Sequence, residues 1–354
     1  MRRLRTIYVV VANTAILLLL VDLGTDVAIR TYQRIAPSLS REKLTAAARS
    51  SYAHMTPADV DDLVAATSRL HFHYVPLLGF VEGAITSRFV NIDQSGIRSN
   101  GKTPRDVTAM QDAIWFLGGS TALGYGIADR ETIPAQLEEI TGRPVINLGV
   151  RGNAAAMETR LMTHYLRIGY RPALVIFLDG INESCEADLF EHEMSVLVDR
   201  TQHDYDWQFG RPVAYAWARI TNKLRRLAGR ADPPDRLELS CVGEGRETPL
   251  KIVHERTLAE RDALCRLYAV ACRTVVQPFA GVHGHNEDVA FLTSPDAAYA
   301  RELFALLEPN WRAAGATFVT DALDHGPRHA FVDAAHYNAQ ASRLIAEAMA
   351  VSLR

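Results

Sequence analysis

The chain has 354 residues, of which 48% are hydrophobic and 22% are charged, a composition typical of globular proteins rather than disordered or low-complexity chains. Its formal net charge of -3 gives no excess of basic residues of the kind that contacts nucleic-acid phosphates. We therefore expect a globular protein that does not bind nucleic acid, long enough for one sizeable domain and additional segments.

The N-terminal residues have the pattern of a membrane anchor. Three arginines lie within residues 1–5, and an almost wholly apolar segment follows until Asp22. At about 1.5 Å per residue, a helix over 6–24 is just long enough to cross a hydrocarbon core of about 30 Å. Because flanking arginines stay cytoplasmic, the pattern predicts a single-pass protein of the inner (cell) membrane, with the remaining residues on the extracytoplasmic, periplasmic side. A cleaved signal peptide is the alternative, although no small-x-small cleavage pattern follows.

Residues 25–85 are predicted to form a helical stalk or packing segment between the membrane and the rest of the chain. Alanine, arginine, serine and aspartate are frequent there, and their spacing is compatible with helices. Thr56 before Pro57 is a typical helix start.

The chain has four cysteines, Cys185, Cys241, Cys265 and Cys272. In an exported domain they can form up to two disulfides, but three pairings are possible and the sequence does not choose among them. No C-x-x-C motif is present, so nothing supports a zinc ribbon or a thioredoxin-like redox site.

Short apolar runs alternate with helix-like stretches over 86–354, most clearly after Asp112. The predicted strands are AIWFL, VINLG, ALVIFLDG, CRTVVQPFAG and ATFVTDA. This alternation predicts an α/β domain with a doubly wound, mainly parallel five-stranded sheet flanked by helices. After the third strand, the long stretch over 184–246 is predicted to be a helical insert over the ligand-binding edge, with a surface elaboration as the alternative.

A serine follows the first predicted strand, in the sequence GGST. Ser120 therefore lies at the carboxyl edge of the sheet, where ligands of such folds bind. Tyr125 stands where a P-loop needs lysine, and Ala122 stands where a G-x-S-x-G elbow needs glycine, so neither motif is present. A serine nucleophile needs a base, an acid that orients the base, and donors for an oxyanion. Near the C-terminus, Asp333 and His336 are spaced to share one side of a turn before an amphipathic helix.

Four motifs in this order, GGST, NLGVRGN, DGINE and DAAH, resemble the four sequence blocks of the SGNH (GDSL-like) hydrolase family, from about residue 114 to the C-terminus. The resemblance implies a flavodoxin-like fold and a serine esterase that needs no cofactor. Ser120 would be the nucleophile, His336 the general base and Asp333 its partner. The backbone N–H groups of Ser120 and Gly152 and the side-chain amide of Asn182 would form the oxyanion hole.

These assignments leave alternatives open. Gly149 competes with Gly152 for the same role. Ser120 can instead be a helix-capping serine, Asn182 can stabilise its own loop, and the Asp333 and His336 pair can cap the last helix.

Two positions depart from the family pattern. Gly119 replaces the aspartate that usually precedes the nucleophile, and Glu183 stands where aspartate is commoner. The first departure removes a hydrogen-bonding side chain, so the nucleophile loop must be held in another way. The departures indicate a divergent, membrane-anchored branch in which the mechanism is easier to infer than the substrate.

The stretch HGHNED, after the fourth predicted strand, contains four residues with ligand chemistry: His283, His285, Glu287 and Asp288. Residue type is the only argument for a metal, so a polar loop is the preferred interpretation and we expect no metal.

The sequence thus predicts a serine ester hydrolase that removes O-acyl groups, acetyl above all, from a carbohydrate or another acylated small molecule. If a sugar hydroxyl replaces water, the same residues make an O-acetyltransferase of an envelope polysaccharide. A non-catalytic carbohydrate-binding scaffold is the alternative from another functional class.

Overall fold

The chain divides into two compact units in the computed structural model. One unit, residues 1–46 with 189–240, lies almost wholly outside the part of the chain that the structure describes. The other unit comprises Ala47–Asp188 and Cys241–Arg354 and contains the sheet. The structure describes isolated helical positions between 5 and 20 and at 221, and the ranges 51–75, 78–101, 106–185, 247–280, 282–283, 295–327, 329–332 and 335–353.

Several predicted features fall outside these residues. They are most of the anchor over 6–24, most of the insert over 184–246, Asp333, and the three HGHNED residues His285, Glu287 and Asp288. No helix within the described ranges combines the length and the hydropathy that crossing a bilayer requires.

A helix and a hairpin precede the main sheet. Helix α1 (Pro57–Thr67) begins where the sequence predicts, because Thr56 Oγ1 accepts the backbone N–H of Asp59 at 3.2 Å. Strands β1 (Phe72–Val75) and β2 (Gly79–Glu82) then pair antiparallel.

The main sheet has five strands, all parallel, in agreement with the prediction. They are β3 (Ile114–Gly118), β4 (Val145–Asn147), β5 (Leu174–Asp179), β6 (Cys272–Val276) and β7 (Thr317–Phe318). Their order in the sheet is β4-β3-β5-β6-β7. The helices that follow α1 are α2 (Ser120–Leu123), α3 (Ile133–Thr141), α4 (Ala155–Arg167), α5 (Glu247–Leu267), α6 (Pro295–Ala313) and α7 (Ala339–Ser352).

Both faces of the sheet are buried. Side chains alternate along β3, so that Ile114 and Phe116 pack on the side of α3 and α7 while Trp115 and Leu117 pack on the side of α4. Because each face carries its own apolar cluster, every strand residue of β3 is buried, as parallel sheets with helices on both sides require.

A disulfide lies within the described part of the chain. Cys265 near the end of α5 is bonded to Cys272 at the start of β6, with their Cα atoms 6.3 Å apart. The sequence left the pairing open because this distance depends on how the chain turns between helix and strand.

Arg98 lies buried beneath the segment that follows β3. Its guanidinium donates to the carbonyl oxygens of Leu123 at 2.8 Å, Gly124 at 2.5 Å and Ile127 at 2.6 Å. Its Nε donates to Asp129 Oδ1 at 3.1 Å. Burial lowers the pKa of Arg98 and raises the pKa of Asp129, and the attraction between the two groups opposes both shifts. One side chain therefore fixes the whole of residues 123–129.

Replacing Arg98 with methionine is expected to lower the free energy of unfolding by about 3–5 kcal/mol, because Asp129 then stays buried without its cation. Urea denaturation followed by circular dichroism measures this loss. Arg343, an exposed arginine paired with Glu139 and Glu347, is the matched control. Arg343→Met should cost less than about 1 kcal/mol. Equal losses in the two variants would contradict the role given to Arg98.

Candidate active site

Ser120 is the first residue of the single-turn helix α2, directly beyond the carboxyl end of β3. The residue that caps this helix is Gly119, and no side chain bonds to the cap, so Ser120 does not serve as the capping serine. Its carbonyl oxygen accepts the N–H groups of Gly124 and Tyr125, both at 2.9 Å. The hydroxyl group is thus left for another partner on a tightly closed turn.

That partner is His336. Its Nε2 lies 2.7 Å from Ser120 Oγ, although 216 residues separate the two in sequence. This is the distance expected between a nucleophile and its general base. For the hydroxyl to donate, Nε2 must be unprotonated and the imidazole must carry its proton on Nδ1.

The segment around His336 is fixed at both ends. The N–H of Val332 donates to the carbonyl oxygen of His336 at 2.8 Å, and the N–H of Asn338 donates to that of Ala330 at 2.9 Å. Asn338 also caps α7 with its side chain, so the His336 side chain is not the cap of the last helix. Asp333 lies outside the described residues, and its partnership with His336 stays a prediction.

An aromatic side chain supports the imidazole. The ring of Tyr125 lies against that of His336, with centroids 4.7 Å apart and planes tilted by 40°. Tyr125 follows Ser120 by five residues, so one short stretch of chain carries both Ser120 and the ring that packs on His336. In the sequence alone, Tyr125 serves only to exclude a P-loop, because nothing local shows its contact with a residue so far along the chain.

The turn after β4 presents an available N–H beside the nucleophile loop. Val150 donates its N–H to the carbonyl oxygen of Gly118 at 3.0 Å, which ties the two loops together. Asn153 N–H bonds back to Val150 O at 3.1 Å, and Gly152 has a φ of +77°, the geometry typical of a type II turn. Gly152 is exposed, and its N–H has no acceptor within the described part of the chain.

Gly149 has a different role from Gly152. Its N–H donates to Asn147 Oδ1 at 3.0 Å. A Cβ at this position would lie 2.2 Å from the backbone nitrogen of Leu123, so glycine is needed for the close approach of this turn to α2. Of the two glycines, only Gly152 leaves its N–H free for a ligand among the described contacts.

The side-chain amide of Asn182 lies between two of these loops. Its Nδ2 donates to the carbonyl oxygen of Asn153 at 2.9 Å, so it bonds across to the neighbouring loop and does not stabilise its own. An amide nitrogen carries two hydrogens, and the second can serve a substrate oxygen.

Gly119 now has a steric explanation. A Cβ on Gly119 would lie 1.9 Å from Asn182 Nδ2 and 3.2 Å from the carbonyl oxygen of Asn153. An aspartate at this position would have to displace the Asn182 amide. Arg98 and the bond between Val150 and Gly118 hold the loop instead.

A buried ionic cluster supports the turn that carries Asn182. Arg261 donates to Asp179 Oδ1 at 2.9 Å and to Glu158 Oε2 at 3.4 Å. Burial alone would lower the pKa of Arg261, but these two carboxylates outweigh it and raise the pKa. Glu183, the second departure from the family pattern, is also buried, and its carboxylate accepts the N–H of Gly180. Both ends of this turn are therefore held by charged side chains.

The same carboxylates are the residues that could offer ligands to a metal. Oxygens of Glu158, Asp179 and Glu183 lie within 4.8 Å of one another. The guanidinium of Arg261 bonds two of them and so neutralises charge where a cation would bind. His283, the one described histidine of HGHNED, accepts the N–H of Phe279 at 3.0 Å, and burial lowers its pKa. These contacts are those of a structural side chain.

No protein-family model matches the chain, and no curated protein matches it significantly. Solved structures that are similar to this chain include an acetyl xylan esterase, with 10% identity, a TM-score of 0.40, and coverage of 68% of this chain and 100% of the other. A carbohydrate acetylesterase family member from Sinorhizobium meliloti has 15% identity and a TM-score of 0.34, over 68% of this chain and 97% of the other. A lipolytic protein of the G-D-S-L family from Veillonella parvula has 13% identity and a TM-score of 0.37, over 67% and 94%. At these identities and TM-scores the similarity does not establish an activity for this chain.

Replacing Gly119 with alanine tests the close packing at the site. The added methyl group must displace the Asn182 amide, so we expect kcat for an ester substrate to fall by about 100-fold, the usual effect of losing one oxyanion donor. The free energy of unfolding should also fall by about 1–3 kcal/mol, as in other overpacked sites. Gly119→Asp, which introduces the aspartate usual in the hydrolases that the motifs resemble, should be no more active.

The double variant with Asn182→Ala separates the two effects. Truncating Asn182 makes room for the methyl group, so stability should return while kcat stays low. A Gly119→Ala variant with unchanged kcat would contradict the placement of Asn182.

Proposed function

We propose that the chain is a serine ester hydrolase that removes O-acyl groups through an acyl-enzyme on Ser120. The observation that carries this proposal is the 2.7 Å contact between Ser120 Oγ and His336 Nε2. A binding protein has no need to place an imidazole nitrogen on a serine hydroxyl at the ligand-binding edge of the sheet. The arrangement favours an enzyme over a carbohydrate-binding scaffold.

In the first step, Ser120 Oγ attacks the acyl carbonyl while His336 Nε2 takes the hydroxyl proton. The ring of Tyr125 limits how far the imidazole can rotate, which keeps Nε2 directed at the nucleophile. His336 then gives the proton to the departing alcohol oxygen, and the acyl group remains on Ser120.

Negative charge develops on the former carbonyl oxygen during the attack. In our proposal it is met by the N–H groups of Ser120 and Gly152 and by the second hydrogen of the Asn182 amide. These donors belong to three loops that bond to one another through Val150 and Gly118 and through Asn182 and Asn153. Because their positions are fixed before the substrate arrives, they need no reorganisation as the charge appears.

Water completes the reaction in the second half. His336 takes a proton from a water molecule, which attacks the acyl carbon, and Ser120 recovers its proton as the acid leaves. We propose an acetylated carbohydrate as the natural substrate, on the strength of the resemblance of the four motifs. The chemical step itself requires only an acyl carbonyl within reach of Ser120, so a simple acetyl ester is a suitable first substrate.

Turnover of p-nitrophenyl acetate by the full-length chain in mild detergent tests the proposal. Ser120→Ala and His336→Ala should each lower kcat/KM by at least about 1000-fold, because nucleophile and base act as a unit. Ser352 and His164 supply matched controls, because they lie at the C-terminal ends of α7 and α4, whose N-terminal ends follow the site segments. Ser352→Ala and His164→Ala should retain wild-type turnover. Equal activity in Ser120→Ala and the wild type would exclude the proposed mechanism.

A further inference from the structure

A carboxylate from the N-terminal hairpin forms hydrogen bonds with the turn that carries Gly152. Glu82, the last residue of β2, accepts the backbone N–H of Arg151 on Oε1 at 2.9 Å. The same carboxylate accepts the Arg151 side chain, from Nε at 2.9 Å to Oε1 and from Nη2 at 2.9 Å to Oε2. Glu82 therefore holds both the main chain and the side chain of one residue.

The burial of the pair makes this contact specific. The Glu82 side chain is fully buried, whereas that of Arg151 is 21% exposed. The Arg151 guanidinium also lies over the ring of Phe72, 4.5 Å from its centroid. A buried carboxylate is costly unless it is paired and hydrogen-bonded, so Glu82 is strongly bound to the position that offers it all these donors.

Glu82 binds the peptide group just before the one that supplies the oxyanion donor. In the turn formed by residues 150–153, the N–H groups of the two central residues point outward, away from the turn's own hydrogen bond. Arg151 is the first central residue, and its N–H goes to Glu82. Gly152 is the second, with the left-handed φ of +77°. Fixing the peptide plane that carries the Arg151 N–H limits the rotation of the next plane, which carries the Gly152 N–H. Without this restraint, the conformational freedom of glycine would leave that second plane unusually free to rotate.

We propose that Glu82 is a positioning residue that aims the Gly152 N–H at the oxyanion. The inference rests on the proposed function, since it assigns Glu82 a part in that same site. Glu82 touches no reacting atom in this scheme and acts only through Arg151. Residues upstream of the α/β sheet therefore contribute to the catalytic geometry.

The test compares Glu82→Met, which removes the acceptor at similar volume, with Glu82→Gln, which keeps an oxygen for the Arg151 N–H. Kinetics of p-nitrophenyl acetate hydrolysis by the full-length chain should show kcat lower by about 10- to 100-fold in Glu82→Met, with KM within about threefold of wild type, because the donor acts in the transition state. Glu82→Gln should recover kcat to within about fivefold. Amide hydrogen exchange in the peptide spanning 150–153 should be faster in Glu82→Met.

Glu138 provides the matched control. It is a buried glutamate that accepts the backbone N–H of Val145 at 2.9 Å, at the amino end of the same strand whose carboxyl end leads to the turn. Glu138→Met should lower stability without lowering kcat of the folded protein. If Glu82→Met does not fold, the double variant with Arg151→Met, which leaves neither charge unpaired, takes its place.

The outcomes separate the two claims. A kcat within threefold of wild type in Glu82→Met, or a rise in KM alone, would overturn the positioning role while leaving the esterase intact. A wild-type chain without Ser120-dependent turnover would instead overturn the proposed function, and the role of Glu82 with it, even if hydrogen exchange confirms the contact with Arg151.

Discussion

The site depends first on the buried guanidinium of Arg98. The helix α2 is only one turn long, so it cannot fix its own position through intrahelical hydrogen bonds. Arg98 donates to three carbonyl oxygens at and beyond the end of this turn, and its charge is met by Asp129. These bonds offset the cost of removing a guanidinium from water and leave no alternative position for the segment. Because Arg98 holds the end of α2, Ser120 at the start of this one-turn helix is held in position as well.

Close approach is the second constraint on the site. Three glycines each admit a neighbour where a Cβ would collide: Asn182 at Gly119, the α2 backbone at Gly149, and Gln277 at Gly180. The segments that follow the parallel strands can therefore approach one another closely. Polar groups from different loops then come within hydrogen-bond distance, which is what an oxyanion hole requires. Gly119 is part of this packing.

Much of the sheet was predictable from sequence because its signals are local. Each strand is a short apolar run next to a helical stretch, and the alternation of strand and helix allows few topologies. The pair Ser120 and His336 was found for another reason: the order of four motifs carries information that no single motif has. The structure adds the distance between the two side chains.

The supports of the site were not predictable in the same way. Arg98, Glu82 and Arg261 look like ordinary surface charges in sequence, since most charged residues are solvated. Apart from Thr274, which lies 13 residues from Arg261, the partners that hold these side chains lie 25 to 106 residues away, beyond any short window of sequence. The hairpin of β1 and β2 falls within residues 25–85, which are predicted as a helical stalk or packing segment, and two strands of four residues give only a weak periodic signal.

The central claim is that His336 activates Ser120 as a nucleophile. The most direct measurement is the intact mass of the full-length chain after reaction with a fluorophosphonate, followed by mapping of the modified peptide. The account predicts one adduct, on the peptide containing Ser120, formed far more slowly when His336 is replaced by alanine. An unmodified chain, or an adduct on another serine with Ser120 untouched, would contradict it.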